Sequence, residues 1–177
     1  MNYTERKKIG KHQIGIHLNN NMKEKYVYSD RVKLVEHKIA VQTLKDCHLF
    51  LQKKLGVETN LAIMKRKPYK HNQNLLGVYN HKSNTVLLNL YTLQGCTIEK
   101  AVDTLAHEMR HAIQYKKKWL TKFKGDVDNV KGYWKGKEYN NDYYDAPWEK
   151  DARKYAAKYT KIASDSLNLK RKLKITI

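Results

Sequence analysis

Apolar and polar residues alternate with a helical period over the segment that ends near residue 55. Steps of three and four residues place side chains on one face of an α-helix. The positions that share this face are Leu34, His37, Val41, Leu44, His48, Leu51 and Leu55. We therefore predict a long amphipathic helix, which begins at a cap formed by Ser29 or Asp30 and ends at Gly56 in a left-handed conformation. On this face, His37 and His48 are predicted to be buried or boundary histidines rather than metal ligands.

Short β-prone runs follow this helix. They read NLAIMK at 60–65, LLGVYN at 75–80 and TVLLNLY at 85–91. The polar sequence HKSN separates the last two runs, and such a short polar connection predicts a β-hairpin. Residues 119–146 are rich in Gly, Asp, Asn and Tyr, and are predicted to form a loop that contains a small hairpin around Gly136.

Two further helices complete the predicted architecture. Thr97 can cap one helix, and Pro147 suits the first turn of the last helix because proline lacks the amide hydrogen that is unpaired there. The predicted fold class is α+β, with a long N-terminal helix, a small three- to four-stranded, mostly antiparallel sheet, and these two helices. We expect a basic arm at 1–28, one domain at 29–166 and a basic tail at 167–177.

The second helix contains the sequence HEMRH. His107 and His111 are four residues apart, so both imidazoles project from one face and can bind a single tetrahedral metal ion. Glu108 is offset around the helix and can reach a metal-bound water, which completes the HExxH arrangement of two ligands and a general base. A solvated polar face is the alternative interpretation of the two histidines. Asp103, one turn earlier, is either a carboxylate that orients a histidine or an ordinary surface residue.

A catalytic zinc ion needs a third protein ligand and keeps one position open. No histidine follows His111, so the third ligand must be a carboxylate further along the chain. The candidates are Asp126, Asp128, Glu138, Asp142, Asp145, Glu149 and Asp151. Glu149 is best placed, because it lies in the first turn of the last helix and is followed by small residues that permit close packing. Asp151 remains the alternative, and an acid in a first helical turn is also favoured by the helix dipole alone.

The sequence HEMRH followed by YYDAPWEKDARKYA resembles the minimal zincin-type metallopeptidases of the gluzincin kind. The spacing of Glu149, Ala152, Tyr155 and Ala156 is similar to the ligand helix of ImmA/IrrE-type peptidases, and the chain also resembles small phage-encoded peptidases. Arg110 stands where the ImmA/IrrE-type family usually has a glycine, so that family's substrates do not transfer to this chain.

The resemblance implies a zincin-like fold and a zinc-dependent metallopeptidase that hydrolyses a peptide bond in an intracellular protein. It implies zinc held by the two histidines and Glu149, with Glu108 as the general base. It also implies that Tyr143 donates a hydrogen bond to the developing oxyanion. Tyr144 is the alternative donor. An extended peptide substrate would pair with an edge strand, for which we expect residues 85–91.

Charge introduces a second hypothesis. The chain carries 36 Lys and Arg against 17 Asp and Glu, a formal net charge of +19. Such an excess favours anionic partners through counterion release, and it also promotes solubility. The basic arm, the lysines at 116–118 and the tail residues at 170–174 offer non-specific contacts to nucleic acid, although no recognised nucleic-acid motif accompanies them. SprT-like proteins combine HExxH with a basic surface, but they supply a third histidine that this chain lacks. A zinc-stabilised interaction protein without catalysis is a third hypothesis.

Cysteine content and hydropathy bear on location. Cys47 and Cys96 are the only cysteines and form no CxxC pair, which favours a reducing compartment over a disulfide framework. Residues 1–20 lack the apolar stretch of a signal peptide, and no stretch reaches the apolar length that spans a bilayer. We therefore expect a cytoplasmic protein, in the host cytoplasm if it is phage-encoded, with no membrane partner.

Overall fold

The computed structural model describes residues 20–65, 67, 75–125, 130–169 and 173–175. Three helices and six strands lie in these residues. In chain order they are α1 (Asn20–Leu55), β1 (Asn60–Met64), β2 (Gly77–Asn80), β3 (Thr85–Asn89), α2 (Ile98–Lys116), β4 (Leu120–Gly125), β5 (Val130–Trp134), β6 (Lys137–Asn141) and α3 (Pro147–Ser166). The predicted α+β class is confirmed.

Helix α1 begins earlier than its sequence predicts. It starts at Asn20, within the segment predicted to be a basic arm, so the predicted start at Ser29 or Asp30 is wrong. The physical reason is that residues 20–28 contain no Gly or Pro and include Met, Glu and Lys, which are good helix formers. The end of the helix is confirmed, because Gly56 follows Leu55 with a φ of +63°. Residues 1–19 of the predicted arm lie outside the described residues.

The apolar face of α1 packs into the main core. Leu44, Cys47 and Leu51 are fully buried and belong to the same cluster as the apolar side of α2. The prediction that His48 is a buried histidine is confirmed, since its Nε2 lies 2.8 Å from the Thr59 hydroxyl. Helical periodicity therefore identified this face correctly.

The first sheet has the strand order β1-β3-β2. β2 and β3 form the predicted antiparallel hairpin, while β1 runs parallel to β3. β3 is thus the central strand, and the prediction that residues 85–91 form an edge is wrong. The reason is the apolar character of β3, whose Val86 and Leu88 are fully buried and whose backbone is paired on both sides. β1 and β2 are the edges.

A second sheet has the antiparallel order β4-β5-β6. The predicted hairpin around Gly136 is its β5–β6 turn, but β4 was predicted to be loop and the two separate sheets were not predicted. β4 is rich in lysine, and its pairing is interrupted by an irregularity at Lys122, where φ is +54°. Leu120 and Val130 of this sheet pack with Trp148 of α3 in a second, smaller core.

Part of the predicted basic tail is built into the fold. Ile175 is fully buried, and its backbone exchanges hydrogen bonds of 2.8 and 2.9 Å with Cys96 and Gly95. The Ile98 amide also donates to the Leu173 carbonyl over 2.7 Å, just where α2 begins. The tail therefore supports the start of α2 instead of lying wholly outside the fold. Residues 170–172 lie outside the described residues.

Helices α2 and α3 pack closely and carry the site. Thr97 caps α2 as predicted, with its hydroxyl accepting from the Lys100 amide. Ala152, Ala156 and Ala163 of α3 are buried, and these small residues allow the close approach. Among the helices of the described residues, none combines the length and the apolar character that crossing a bilayer requires.

Candidate metal centre

His107 and His111 project from one face of α2 toward α3. Their Nε2 atoms lie 3.1 Å apart, and their rings meet edge to face at 83°. The side chain of His107 is 18% exposed and that of His111 is 10% exposed, so the pair sits at the inner wall of a cleft rather than on an open polar face. The opposite side of α2 is occupied by the main core, which is why the imidazoles point this way.

Glu149 completes a group of three possible metal ligands with the histidines. Its Oε2 lies 3.1 Å from Nε2 of His107, and its Oε1 lies 3.1 Å from Nε2 of His111. The carboxylate is almost fully buried, in the first turn of α3 directly beside α2. The sequence-predicted ligands are therefore brought together by the packing of two helices.

The other candidate carboxylates lie elsewhere. Asp151 forms an ion pair with Arg110 over 2.7 Å, away from the imidazole nitrogens. Glu138 pairs with Lys131, Asp145 pairs with Lys150, and Asp142 accepts from the backbone amide of Tyr144. Asp126 and Asp128 lie outside the described residues. Of the candidates that the structure describes, Glu149 alone joins the histidines.

The geometry of the three side chains fits a zinc ion. Two imidazole nitrogens and one carboxylate oxygen are a donor set typical of catalytic zinc. Around a tetrahedral zinc ion with bonds of about 2.0–2.1 Å, neighbouring ligand atoms are roughly 3.3 Å apart. The 3.1 Å separations between the two Nε2 atoms and from each of them to a Glu149 oxygen need to expand only slightly.

The electrostatics of the centre favour a cation. Burial opposes ionisation of Glu149, but hydrogen bonds from both histidines outweigh it and hold the pKa of this carboxylate well below its usual range. Burial likewise opposes a charged His111, yet Glu149 and Glu108 prevail and raise its pKa to about 9. Carboxylates that stabilise positive charge on an imidazole also stabilise a divalent cation in the same place.

Glu108 lies beside the three possible ligands but is not one of them. It is buried and accepts a hydrogen bond from the backbone amide of Tyr79 in β2. Burial raises its pKa, although the two histidines act in the opposite direction. Glu108 and Glu149 thus have pKa values shifted in opposite directions, which suits a proton acceptor next to a permanently ionised ligand.

Tyr143 reaches the centre and Tyr144 does not. The Tyr143 hydroxyl hydrogen-bonds to Glu149, and burial together with that carboxylate raises its pKa, so it stays a protonated donor. Tyr144 is 68% exposed and stacks on the guanidinium of Arg153. Of the two tyrosines, only Tyr143 lines the small cavity of about 130 Å³ next to His111 and Glu149.

Sequence reasoning missed the residue that contacts the far side of a histidine. Nδ1 of His111 lies 2.8 Å from Oε1 of Gln114, which is fully buried. Its position three residues after His111, on the same helical face, was the available signal. Asp103 does not take this role, because it pairs with Lys100 over 3.1 Å near the surface. The alternative interpretation of Asp103 as a surface carboxylate is therefore confirmed.

Comparison of the chain with protein-family models, with curated proteins and with solved structures finds no match. The zincin-like fold and the activity that the sequence resemblance implies therefore stay predictions. Their support comes from the local geometry of His107, Glu108, His111 and Glu149.

Proposed function

We propose that this protein is a zinc-dependent metallopeptidase that hydrolyses a peptide bond in a protein or peptide substrate. The observation that carries the proposal is that His107, His111 and Glu149 converge at hydrogen-bonding distance from two helices. Glu149 lies 38 positions after His111 in the sequence. Glu108 lies next to this group without belonging to it, as a general base must.

A zinc ion held there would polarise the substrate carbonyl and make a water molecule acidic near neutral pH. Glu108 then accepts the proton of the attacking water and passes it to the leaving amine. The same carboxylate, once protonated, is the acid that delivers this proton. The Tyr143 hydroxyl donates to the oxygen that becomes negative on the former carbonyl.

Strand β2 offers the binding edge for an extended substrate. One side of β2 is paired with β3, and the Tyr79 amide on the other side donates to Glu108. Gly77, at the start of the same strand, lies so close to α2 that a Cβ there would stand 3.2 Å from Cγ of Glu108. A peptide that adds to this edge by main-chain hydrogen bonds passes directly beside the proposed base.

The test compares the wild-type protein with Glu108→Gln in zinc content and in cleavage. The variant keeps all three ligands, so it should bind one zinc ion per chain and lose hydrolysis. Glu138→Gln, which removes a surface carboxylate that pairs with Lys131, is the matched control and should cleave normally. New peptide N-termini, mapped in cells that express each protein, should appear with the wild type and the control only.

Two outcomes would contradict this function. If Glu108→Gln cleaves at the wild-type rate, Glu108 is not the base. If the wild type binds zinc but cuts nothing in a diverse peptide library or in cells, the zinc stabilises an interaction protein without catalysis.

Nucleic-acid binding is the second candidate, and one structural observation favours it. On and beside the second sheet, lysine side chains lie over aromatic rings: Lys117 and Lys135 are 4.8 and 4.6 Å from the ring centre of Trp119, and Lys122 is 5.1 Å from that of Tyr133. Basic and aromatic groups together suit single-stranded nucleic acid. Binding of a labelled single strand, measured over a range of salt concentrations, tests this candidate.

A further inference from the structure

Gln114 lies at the junction of a hydrogen-bond network that joins α2 to α3. Its Oε1 faces Nδ1 of His111 over 2.8 Å, while its Nε2 donates to the Trp148 carbonyl and to Oδ2 of Asp151, each over 2.9 Å. The side chain is fully buried, so these contacts define its hydrogen bonding.

The partners of Gln114 decide which way its amide group faces. A backbone carbonyl and a carboxylate only accept hydrogen bonds, so both must face the NH₂ group. The oxygen of the amide then has to face His111, and an oxygen can only accept. Nδ1 of His111 must therefore carry a hydrogen, and Nε2 is the ring nitrogen that remains for a metal ion.

Arg110 holds the other end of the network. Its Nε donates to Oδ2 of Asp151 over 2.7 Å and its Nη2 to Oδ1 over 3.1 Å, a two-pronged ion pair between α2 and α3. The guanidinium is nearly buried and lies 3.4 Å from the centre of the Tyr155 ring, which prevents it from swinging away. Such a planar fork fixes the direction of a carboxylate, which a lysine does not do.

We infer that Gln114, oriented by the Arg110–Asp151 pair, is a positioning residue that fixes the hydrogen of His111 on Nδ1 and presents Nε2 to the metal ion. Asp151, which the sequence offered as the alternative to Glu149, is thereby assigned to orienting a ligand instead. Arg110 belongs to the same hydrogen-bond network, because it pairs with Asp151. The inference rests on metal binding at the proposed centre, but it does not depend on peptide hydrolysis.

Gln114→Met tests the inference, because Met has a similar shape and its thioether is only a weak acceptor for the Nδ1 hydrogen. Loss of a residue that orients a metal-bound histidine weakens metal affinity about 10- to 100-fold, and we expect a loss in this range, measured by competition with a chelator. The cobalt-substituted variant should also show a changed visible absorption spectrum, since the orientation of one ligand changes.

Gln52→Met is the matched control. Gln52 also connects a buried histidine to a backbone carbonyl, with its Nε2 3.3 Å from His48 and 2.6 Å from the Thr59 oxygen, but neither partner belongs to the group of three possible metal ligands. It should lower the free energy of unfolding without changing zinc affinity. Gln114→Glu adds a second contrast: it restores an acceptor for Nδ1 and so should keep zinc affinity near the wild-type value, while repulsion from Asp151 lowers stability.

Unchanged zinc affinity in Gln114→Met would overturn the inference, as would equal losses of affinity in Gln114→Met and Gln52→Met. The result of these zinc-affinity measurements is distinct from the result of the cleavage test of the proposed function. The ¹⁵N-coupled proton signal of His111 Nδ1–H should be visible and protected from solvent in the metal-free wild type and lost in Gln114→Met. A wild type that binds zinc but cleaves nothing would remove the peptidase proposal and leave this inference standing.

Discussion

The tight contact between β2 and α2 gives the most specific prediction about stability. A Cβ at Gly77 would lie 2.8 Å from Cγ2 of Thr104, 3.1 Å from the Leu87 carbonyl oxygen and 3.2 Å from Cγ of Glu108. Thr104 cannot easily rotate away, because its hydroxyl donates to the Lys100 carbonyl over 3.0 Å. Gly77→Ala must therefore push β2 away from α2, the helix that carries His107 and His111.

The expected loss of stability is that of inserting one methyl group into a well-packed region. Inserting a methyl group into a well-packed region costs about 1–3 kcal/mol, and a midpoint of about 2 kcal/mol lowers the melting temperature of a chain of this size by roughly 4–8 °C. The displaced β2 also moves its Tyr79 amide away from Glu108, so we expect the proposed peptidase activity to fall more than the small loss of folded protein explains.

Calorimetry and a peptide-cleavage assay measure these two effects. Gly132→Ala is the matched control, because a Cβ at this second strand glycine would meet its nearest atom, on Trp148, at 3.4 Å. That variant should lower the free energy of unfolding less than Gly77→Ala does, because every contact of its added methyl group lies at an ordinary van der Waals distance. Adding Thr104→Ser to Gly77→Ala removes the atom at 2.8 Å and keeps the hydroxyl, so it should restore part of the stability.

A Gly77→Ala protein as stable as the wild type would refute the close approach of β2 to α2. A double variant with Thr104→Ser that recovers nothing would show that the clash is not with the threonine methyl group.

Four further predictions concern metal binding, pH, thiol reactivity and the tail. Zinc at 100 times its dissociation constant should stabilise the fold by about 2.7 kcal/mol, and His107→Ala should abolish this effect in thermal melts. Burial lowers the pKa of His48 in the folded protein. The contribution of the neutral His48 to stability is therefore complete above the unfolded pKa of about 6.5, and it is lost as the pH falls from there toward the lowered folded pKa. In urea titrations at several pH values, His48→Gln should reduce this loss of stability in acid. Burial, helped by Asp46, raises the pKa of the Cys47 thiol to about 12, so mass spectrometry of the alkylated native protein should find Cys96 labelled and Cys47 unmodified. Ile175→Ala should cost about 2–5 kcal/mol in chemical denaturation, because its side chain is fully buried.

Local patterns account for the parts of the fold that the sequence predicted correctly. The helical period of Leu44, His48 and Leu51 identified the buried face of α1, and the polar connection between two apolar runs identified the β2–β3 hairpin. At the centre, the spacing of His107 and His111 is itself a local feature, since it depends only on the geometry of one helix. Such features need no knowledge of distant contacts.

The features that could not be predicted depend on contacts between distant parts of the chain. The central position of β3 follows from its parallel pairing with β1, and no local pattern encodes the order of strands. The lysine-rich β4 lacks the alternation of apolar and polar residues that is typical of a half-buried strand. It is a strand because its backbone pairs with β5. The sequence around Ile175 does not indicate that this residue is buried, because its burial depends on backbone pairing with the distant Cys96.

The same distinction separates the proposed ligands from the residues inferred to orient them. Glu149 could be proposed because a metal site needs a third ligand and the last helix begins with an acid. The roles inferred for Arg110 and Asp151 arise from an ion pair across two helices, 41 residues apart in sequence. From the sequence alone, Arg110 is a difference from the glycine usual in ImmA/IrrE-type peptidases, and Asp151 is the alternative third ligand.

The central claim is that two histidines and one glutamate bind a single zinc ion, and anomalous diffraction at the zinc edge tests it most directly. In crystals of the zinc-loaded protein, the account predicts one strong anomalous peak, at about 2.0–2.2 Å from Nε2 of His107, Nε2 of His111 and a carboxylate oxygen of Glu149. A peak at any other place, or no peak there in a protein that is otherwise folded as described, would contradict it.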